Sequence, residues 1–189
     1  MLVLCNGIAA KGDFMNHTPA PFCNIGKSFK IQHSRYTSKY MSKQQRLLFL
    51  CTGNYYRSRF SEEYFNHFAE KNGLPWTAYS AGLSRNIDEL RNPGPISRYT
   101  LEKLKELEIT PKAAERFPVS VDQSLLDDHH HTIAVCDREH RPMVLSHFPD
   151  YVHKIEFWDV EDIEYISPTV ALHQLQEYLD RCLEKMVSK

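Results

Sequence analysis

The stretch Leu47-Leu48-Phe49-Leu50-Cys51-Thr52-Gly53-Asn54-Tyr55-Tyr56-Arg57-Ser58 decides the fold and points to the chemistry. An apolar run of strand length ends at a cysteine, a short loop follows, and an arginine and a serine stand where a helix should begin. A strand that leads through a loop into a helix gathers unpaired backbone N–H groups and the positive end of the helix dipole around one point. Such a pocket suits a tetrahedral oxyanion and favours the thiolate form of Cys51. We therefore predict a thiolate nucleophile in a phosphate cradle.

Composition narrows the class of protein. The 189 residues suffice for one domain with a full core, and 42% hydrophobic with 25% charged residues are typical of a globular protein. A net charge of −1 argues against nucleic acid as a partner, and no apolar run has the length of a membrane span. Five cysteines without metal-ligand spacing favour reduced thiols, which predicts a cytoplasmic protein. The sequence leaves the oligomeric state open.

Two parts of the chain differ in pattern. Residues 1–44 are rich in Gly, Pro, Asn and Ser without a lasting apolar period, which predicts a mobile N-terminal extension. In residues 45–189, short apolar runs alternate with helical patterns, which predicts an α/β fold. We expect a three-layer domain with a four-stranded parallel sheet flanked by helices, and a phosphate-binding loop after the first strand. The predicted strands are 47–51, 76–80, 132–136 and 154–158.

Ligands of an open parallel sheet bind beyond the carboxyl ends of its strands. Those ends are predicted at Cys51, at Ser80, at Cys136-Asp137 and at Trp158, so their polar residues should line one crevice. Asp137 is expected to cap the helix that follows the third strand. Among the predicted helices, the one after the 92–95 loop should turn Leu101 and Leu104 toward the core.

The loop CTGNYYRS, residues 51–58, resembles the signature of the low-molecular-weight protein tyrosine phosphatases. The resemblance extends to Tyr79-Ser80-Ala81-Gly82, to Asp137-Arg138-Glu139-His140 and to residues 158–162, and it covers about residues 45–187. Glycine at the second loop position and asparagine at the third, here Gly53 and Asn54, are specific to that family. Arsenate reductases on the same scaffold are also similar.

The resemblance implies a role for each loop residue. Cys51 would attack phosphorus to form a cysteinyl-phosphate, and the planar fork of Arg57 would bind two phosphoryl oxygens. The backbone N–H groups of Thr52 through Ser58 would complete the cradle. The Ser58 hydroxyl is expected to contact the Cys51 sulfur. No metal or other cofactor is implied.

The resemblance also implies roles for three residues besides Cys51, Arg57 and Ser58. Asn54, paired with Ser80, is expected to fix the shape of the loop. A general acid must protonate the leaving group, and the acidic loop after the fourth strand would supply it. The resemblance places this acid at Asp162, with Asp159 as the alternative because Ile163 stands where the family has proline. The carboxylates of this loop are Asp159, Glu161, Asp162 and Glu164.

Several positions depart from the family pattern. Tyr56 stands where many members have a second, protective cysteine, so Cys51 should over-oxidise more readily. Arg59 replaces a proline and is expected to add positive charge at the rim. Ala113 replaces a histidine, which puts part of the loop-supporting network in doubt. Tyr55 and Tyr56 form either an aromatic wall for a phosphotyrosine ring or packing contacts with neighbouring loops.

The predicted function is hydrolysis of phosphomonoesters, with a phosphorylated protein and its phosphotyrosine as the first choice of substrate. The alternatives are a phosphoarginine phosphatase, an arsenate reductase-like enzyme, and a phosphate-binding module with weakened catalysis. The run His129-His130-His131 is interpreted as a solvated loop, because consecutive residues cannot all ligate one ion.

Overall fold

The computed structural model describes residues 43–187, and the predicted mobile extension lies outside these residues except for Lys43 and Gln44. Within the described chain, four parallel strands form one sheet in the order β2-β1-β3-β4. The strands are β1 (Gln45–Cys51), β2 (Trp76–Gly82), β3 (His131–Ala134) and β4 (Ile155–Phe157). The helices are α1 (Arg57–Lys71), α2 (Arg98–Glu106), α3 (Gln123–Asp128), α4 (Asp137–His147) and α5 (Pro168–Val187). The predicted α/β fold with a four-stranded parallel sheet is confirmed.

Strand β1 is central because both of its faces are apolar. Leu47 and Phe49 point into a core cluster built with α1 and α5, whereas Leu48 and Leu50 point into a second cluster with α3 and α4. All four side chains are fully buried. A strand covered by helices on both faces reads as a continuous apolar run, and this gives the three layers that the sequence predicts.

Helix α5 closes one face of the sheet through a regular apolar stripe. Its buried residues recur every three or four positions, which places them on one side of the helix, and they are Ala171, Leu172, Leu175, Leu179 and Leu183. Ser167 precedes the helix and its hydroxyl accepts the Val170 N–H at 3.4 Å, so the predicted start at Ser167-Pro168 is correct. None of the helices in residues 43–187 is both long and apolar enough to cross a membrane.

Two local predictions were wrong. Leu104 is buried as predicted, but Leu101 is 38% exposed, because the nine-residue helix α2 buries Thr100 and Leu104 and turns Leu101 toward solvent. Asp137 is the first residue of α4 and not its cap, which is Cys136. The Asp137 carboxylate pairs with the Arg141 guanidinium one turn later, at 2.5 Å, and this pairing holds its pKa below the usual range. The N-cap residue, Cys136, makes no side-chain hydrogen bond to the backbone at the start of α4.

Candidate active site

The loop between β1 and α1 turns tightly at two positions. Asn54 is buried and has a positive φ of 47°, a left-handed conformation that asparagine tolerates better than most residues. Gly53 allows a close approach: a Cβ there would lie 3.0 Å from Leu90 Cδ1 and 3.3 Å from Asn92 Nδ2. The loop thus brings Cys51, at the end of the strand, close to Arg57 and Ser58 at the start of the helix.

The Cys51 sulfur lies next to a chain of hydrogen bonds that runs behind the loop. Its Sγ is 3.0 Å from Ser58 Oγ, and the Asn54 side-chain amide donates to Ser58 Oγ at 3.2 Å and to Ser80 Oγ at 2.8 Å. Asn54 Oδ1 also accepts the Val119 N–H at 3.0 Å. The structure therefore brings together Cys51, Ser58, Asn54 and Ser80 in the arrangement that the sequence analysis expects.

Arg57 is almost completely buried, with 1% of its surface exposed, and its guanidinium faces the cleft. Nη1 donates to the Val160 carbonyl at 3.2 Å, while Nη2 contacts both Asp162 Oδ2 at 2.5 Å and Glu139 Oε2 at 2.8 Å. Burial alone would lower the pKa of Arg57, but the negative charges of Cys51, Asp162 and Glu139 outweigh it and raise the pKa. The arginine is a permanent cation at the base of the cleft.

The structure separates the carboxylates of the acidic loop. Asp162 lines the cleft together with Cys51 and Arg57, and its Oδ1 accepts the Ile163 N–H at 2.7 Å. The side chain of Glu161 pairs instead with Arg138 at 2.7 Å. Asp159 forms a β-bridge with Cys136 and does not line this cleft. Of the two candidate acids, Asp162 is the one that lines the cleft with Cys51.

The cleft above the loop has a volume of about 640 Å³ and a partly aromatic lining. Tyr55 and Tyr56 both line it, but each hydroxyl is anchored to backbone: Tyr55 to the Pro93 carbonyl and Tyr56 to the Pro168 carbonyl, both at 3.0 Å. Tyr56 is the more buried of the two and also packs edge-on against Tyr99. The two tyrosines therefore form part of the aromatic wall of the cleft and also make contacts with neighbouring loops and helices.

Two arginines, Arg59 and Arg116, take part in the loop-supporting network in the absence of the family histidine, and the Nε atom of each is buried without a hydrogen-bond partner among the described residues. Arg116 contacts Glu62 through both terminal nitrogens, at 3.0 and 2.5 Å, and donates to Ser80 Oγ at 3.1 Å. Ser80 Oγ in turn donates to Glu62 at 2.5 Å. Arg59 donates to the Ala113 carbonyl and lies 3.4 Å from Glu62. The expectation that Arg59 adds charge at the rim was wrong, since its side chain is fully buried behind the loop.

Three supporting residues were given no role from the sequence, although Gly82 and Glu139 lie in segments that resemble the family. Glu62 is a buried carboxylate on the inner face of α1, and a charge at a predicted core position was the available signal. Gly82 ends β2, where a Cβ would lie 2.9 Å from the Thr52 carbonyl, and a glycine at a strand end was the available signal. Glu139 lies in the cleft, and only its place after the third strand pointed there.

Glu139 is held in the cleft by three neighbours. It accepts a hydrogen bond from Thr52 Oγ1, pairs with Arg57, and lies 3.5 Å from Nε2 of the buried His140. His140 Nδ1 accepts the Cys136 N–H at 3.0 Å, which leaves the proton of a neutral ring on Nε2. Burial alone would raise the pKa of Glu139, but His140, Arg57 and Thr52 lower it to about 2.

Metal binding has one candidate group in the described chain. Ligand atoms of Cys136, Asp159 and Glu161 lie within 4.8 Å of one another, but Glu161 is already paired with Arg138. The three consecutive histidines turn to separate partners, which are the Leu125 carbonyl, the Arg46 N–H and the Glu156 carboxylate. Neither group is arranged as a metal centre within residues 43–187.

Comparison with known proteins places this geometry in a family. The low molecular weight phosphotyrosine protein phosphatase family matches residues 46–189, whereas no curated protein matches. A low molecular weight protein tyrosine phosphatase from T. tengcongensis is 28% identical with a TM-score of 0.62, and the alignment covers 75% of this chain and 99% of that chain. One from Bacillus subtilis is 25% identical with a TM-score of 0.60, covering 76% and 97%. The YwlE arginine phosphatase from Geobacillus stearothermophilus, 24% identical with a TM-score of 0.59 and covering 76% and 94%, shares the fold. The chain therefore belongs to the low molecular weight phosphotyrosine protein phosphatase family.

Proposed function

We propose that this protein hydrolyses phosphomonoesters on phosphorylated proteins, with phosphotyrosine as the preferred residue, by transferring the phosphoryl group to Cys51. One observation carries the proposal: a cysteine, a buried arginine and a loop carboxylate paired with that arginine, Cys51, Arg57 and Asp162, line one cleft. Family membership supports a cysteine-dependent phosphatase, and the aromatic lining supports an aryl phosphate. Residues 45–189 are proposed to form the phosphatase domain.

The reaction is proposed to run in two displacements at phosphorus. In the first, the Cys51 sulfur bonds to phosphorus, the bond to the leaving oxygen breaks, and Asp162 gives that oxygen a proton. In the second, water attacks the cysteinyl-phosphate, Asp162 takes a proton from the water, and the sulfur leaves as a thiolate with release of inorganic phosphate. The Ser58 hydroxyl, 3.0 Å from Sγ, stabilises that thiolate.

The cradle is proposed to stabilise charge on the transferring group. Arg57 binds two phosphoryl oxygens, and the backbone N–H groups of residues 52–58 point at the remaining oxygen. The chain Asn54–Ser80–Glu62–Arg116 holds the loop in shape from behind, at distances of 2.5 to 2.8 Å at its closest links. Preorganised donors of this kind need no rearrangement at the moment of reaction.

The alternatives receive less support. Reduction of arsenate by a thiol relay needs further cysteines at the site, and of the described cysteines, Cys51, Cys136 and Cys182, only Cys51 lines the cleft. The departures at Tyr56, Ile163 and Ala113 suggested a module with weakened catalysis. At the last of these positions, the buried Arg59 and the half-buried Arg116 support the loop through the Ala113 carbonyl and Glu62. A reduced Cys51 without a protective partner at Tyr56 suits a reducing compartment, so we infer a cytoplasmic location.

A substrate panel tests the proposed function. The full chain, assayed with a metal chelator present, is expected to release phosphate from a phosphotyrosine peptide faster than from phosphoarginine and not to reduce arsenate. In a separate assay without chelator, vanadate should inhibit competitively, because it is a tetrahedral oxyanion like phosphate and can bond to the Cys51 sulfur in a trigonal-bipyramidal arrangement that resembles the transition state. Faster release from phosphoarginine would transfer the proposal to the arginine phosphatases, and absence of any hydrolysis would refute it.

Replacement of Asp162 tests the general acid. Asp162→Asn is expected to lower kcat for a phosphotyrosine peptide by roughly 10² to 10⁴-fold, the usual range for loss of acid–base catalysis. The loss should be smaller with p-nitrophenyl phosphate, whose leaving group needs less protonation. Asp159→Asn is the matched control, since it removes a carboxylate of the same loop outside the cleft. Equal losses with both substrates, or in the control, would remove Asp162 from this role.

A further inference from the structure

Glu139 is a charged residue of the cleft that the proposed mechanism does not use. It lies in the first turn of α4, lines the same cleft as Cys51, and touches the guanidinium that would bind the phosphoryl group. Its side chain is 28% exposed, so it faces both the cleft and the protein interior. A carboxylate this close to an anion-binding cradle repels a negatively charged ligand.

Glu139 is also fixed more firmly than Asp162, the other carboxylate on Arg57. The Thr52 hydroxyl donates to its Oε1, and Oε2 lies between Arg57 Nη2 and His140 Nε2, at 2.8 and 3.5 Å. It stands on a helix whose start follows the buried strand β3. Asp162, by contrast, belongs to the loop between β4 and α5. A phosphoryl group that takes over the Arg57 donors therefore displaces Asp162 more easily than Glu139.

The charge of Glu139 persists at any ordinary assay pH, because the pKa of this carboxyl is lowered to about 2. Within residues 43–187, the charged and titratable groups near Glu139 are Arg57 from α1, Cys136 and His140 at the start of α4, and four side chains that line the same cleft, Cys51, Arg138, Asp162 and Glu164. Repulsion between this fixed charge and a bound phosphoryl group grows with the ligand's charge, so it is about twice as large for a dianion as for a monoanion.

We propose that Glu139 is a specificity-determining residue that makes the cradle favour phosphoryl groups with one negative charge over those with two. The inference rests on the proposed function, because it concerns the same cradle. Its consequence for turnover is easier release of the product, since inorganic phosphate becomes a dianion in neutral solution and is then repelled. The monoanionic form of a phosphorylated substrate would likewise bind better than its dianion.

Calorimetric titration with inorganic phosphate tests the proposal without turnover. The proteins are Cys51→Ser alone and Cys51→Ser combined with Glu139→Gln or with Asp137→Asn, all in the full chain. Asp137 is the matched control, because it carries the same charge in the same helical turn but pairs with Arg141 and does not line the cleft. Glutamine keeps an oxygen that can accept from Thr52 Oγ1.

At about pH 8, where phosphate is a dianion, Glu139→Gln is expected to bind phosphate about tenfold more tightly than its parent. The gain should shrink to about threefold near pH 5.5, where phosphate is a monoanion, because half the repulsive energy corresponds to the square root of the tenfold gain. Asp137→Asn should bind within about twofold of the parent at both pH values. A purely structural role for Glu139 would not produce this pH-dependent difference.

Equal affinities of the Glu139→Gln and parent proteins at the higher pH would overturn the proposal, as would the same gain in the Asp137→Asn control. Should the glutamine variant fail to fold, the parent alone still decides: its affinity for phosphate must fall as the pH rises from about 5.5 to about 8, and a rise would overturn the inference. Phosphate binding with the expected charge preference, in a protein that hydrolyses none of the panel substrates, would count against the proposed function alone.

Discussion

Cys51→Ser is expected to reduce hydrolysis of an aryl phosphate by more than about 10⁴-fold, since loss of a nucleophile removes the covalent route almost entirely. Serine matches cysteine in shape, and its hydroxyl can still contact Ser58, so the buried loop should keep its structure. The alcohol is not ionised near neutral pH, and it is therefore a far weaker nucleophile than a thiolate. The measurement is kcat with p-nitrophenyl phosphate, with a chelator present.

Cys136→Ser is the matched control for this prediction. Cys136 is also buried and also follows a strand, β3, but it does not line the cleft, and burial raises the pKa of its thiol. The control should retain most of its activity. A phosphorylated Cys51 should also be recoverable after acid quenching of the wild-type reaction. Activity that survives in Cys51→Ser but disappears in Cys136→Ser would show that Cys136, and not Cys51, is the nucleophile.

Arg57→Lys is expected to lower kcat/KM by about 10³-fold, although the positive charge is kept. The guanidinium reaches the Val160 carbonyl with one terminal nitrogen and two carboxylates with the other. A lysine ammonium cannot hold this backbone contact and also bind two phosphoryl oxygens in one plane. It would also leave Asp162 and Glu139 with weaker compensation of their charges. Steady-state kinetics with a phosphotyrosine peptide provide the measurement.

Arg138→Lys controls for the general effect of replacing an arginine in the cleft. Arg138 lies at the rim, is largely exposed, and pairs with Glu161 at 2.7 Å, a contact that an ammonium can also make. We expect its kcat/KM to stay within a few-fold of wild type, because an exposed ion pair contributes little. If Arg57→Lys changed activity no more than Arg138→Lys does, the bidentate role of Arg57 would be untenable.

Two departures from the family pattern, Arg59 and Ala113, offset each other behind the loop. Burial lowers the pKa of Arg59, and burial raises the pKa of Glu62 against the opposing effect of Arg116. Both shifts disfavour the charged forms, so the contacts among these side chains are needed to keep them charged. The arginine that replaces the family proline and the carbonyl of Ala113, which replaces a histidine, meet in one hydrogen bond.

The local sequence determined the fold class and the centre of the site. The apolar run of β1, the loop that follows it and the start of α1 at Arg57 are all encoded within a few neighbouring residues, so strand, loop and helix signals could be recognised without a structure. The resemblance of residues 51–58 to a phosphatase signature added the family, which the match over residues 46–189 confirms. Side-chain faces of short helices were less certain, as Leu101 shows.

The tertiary structure decided which distant charges meet, including the choice of Asp162 that the family resemblance favours. Asp162 and Asp159 are both acidic residues of one loop, and only the course of that loop brings Asp162 to Arg57 while Asp159 bridges to Cys136. Arg59 was expected at the rim but is buried, because its position on the inner face of α1 points it behind the loop. Glu139 follows a strand far along the chain, and a parallel sheet brings the carboxyl ends of its strands to one edge. Electrostatic contacts depend on three-dimensional distance, which spacing along the chain does not specify.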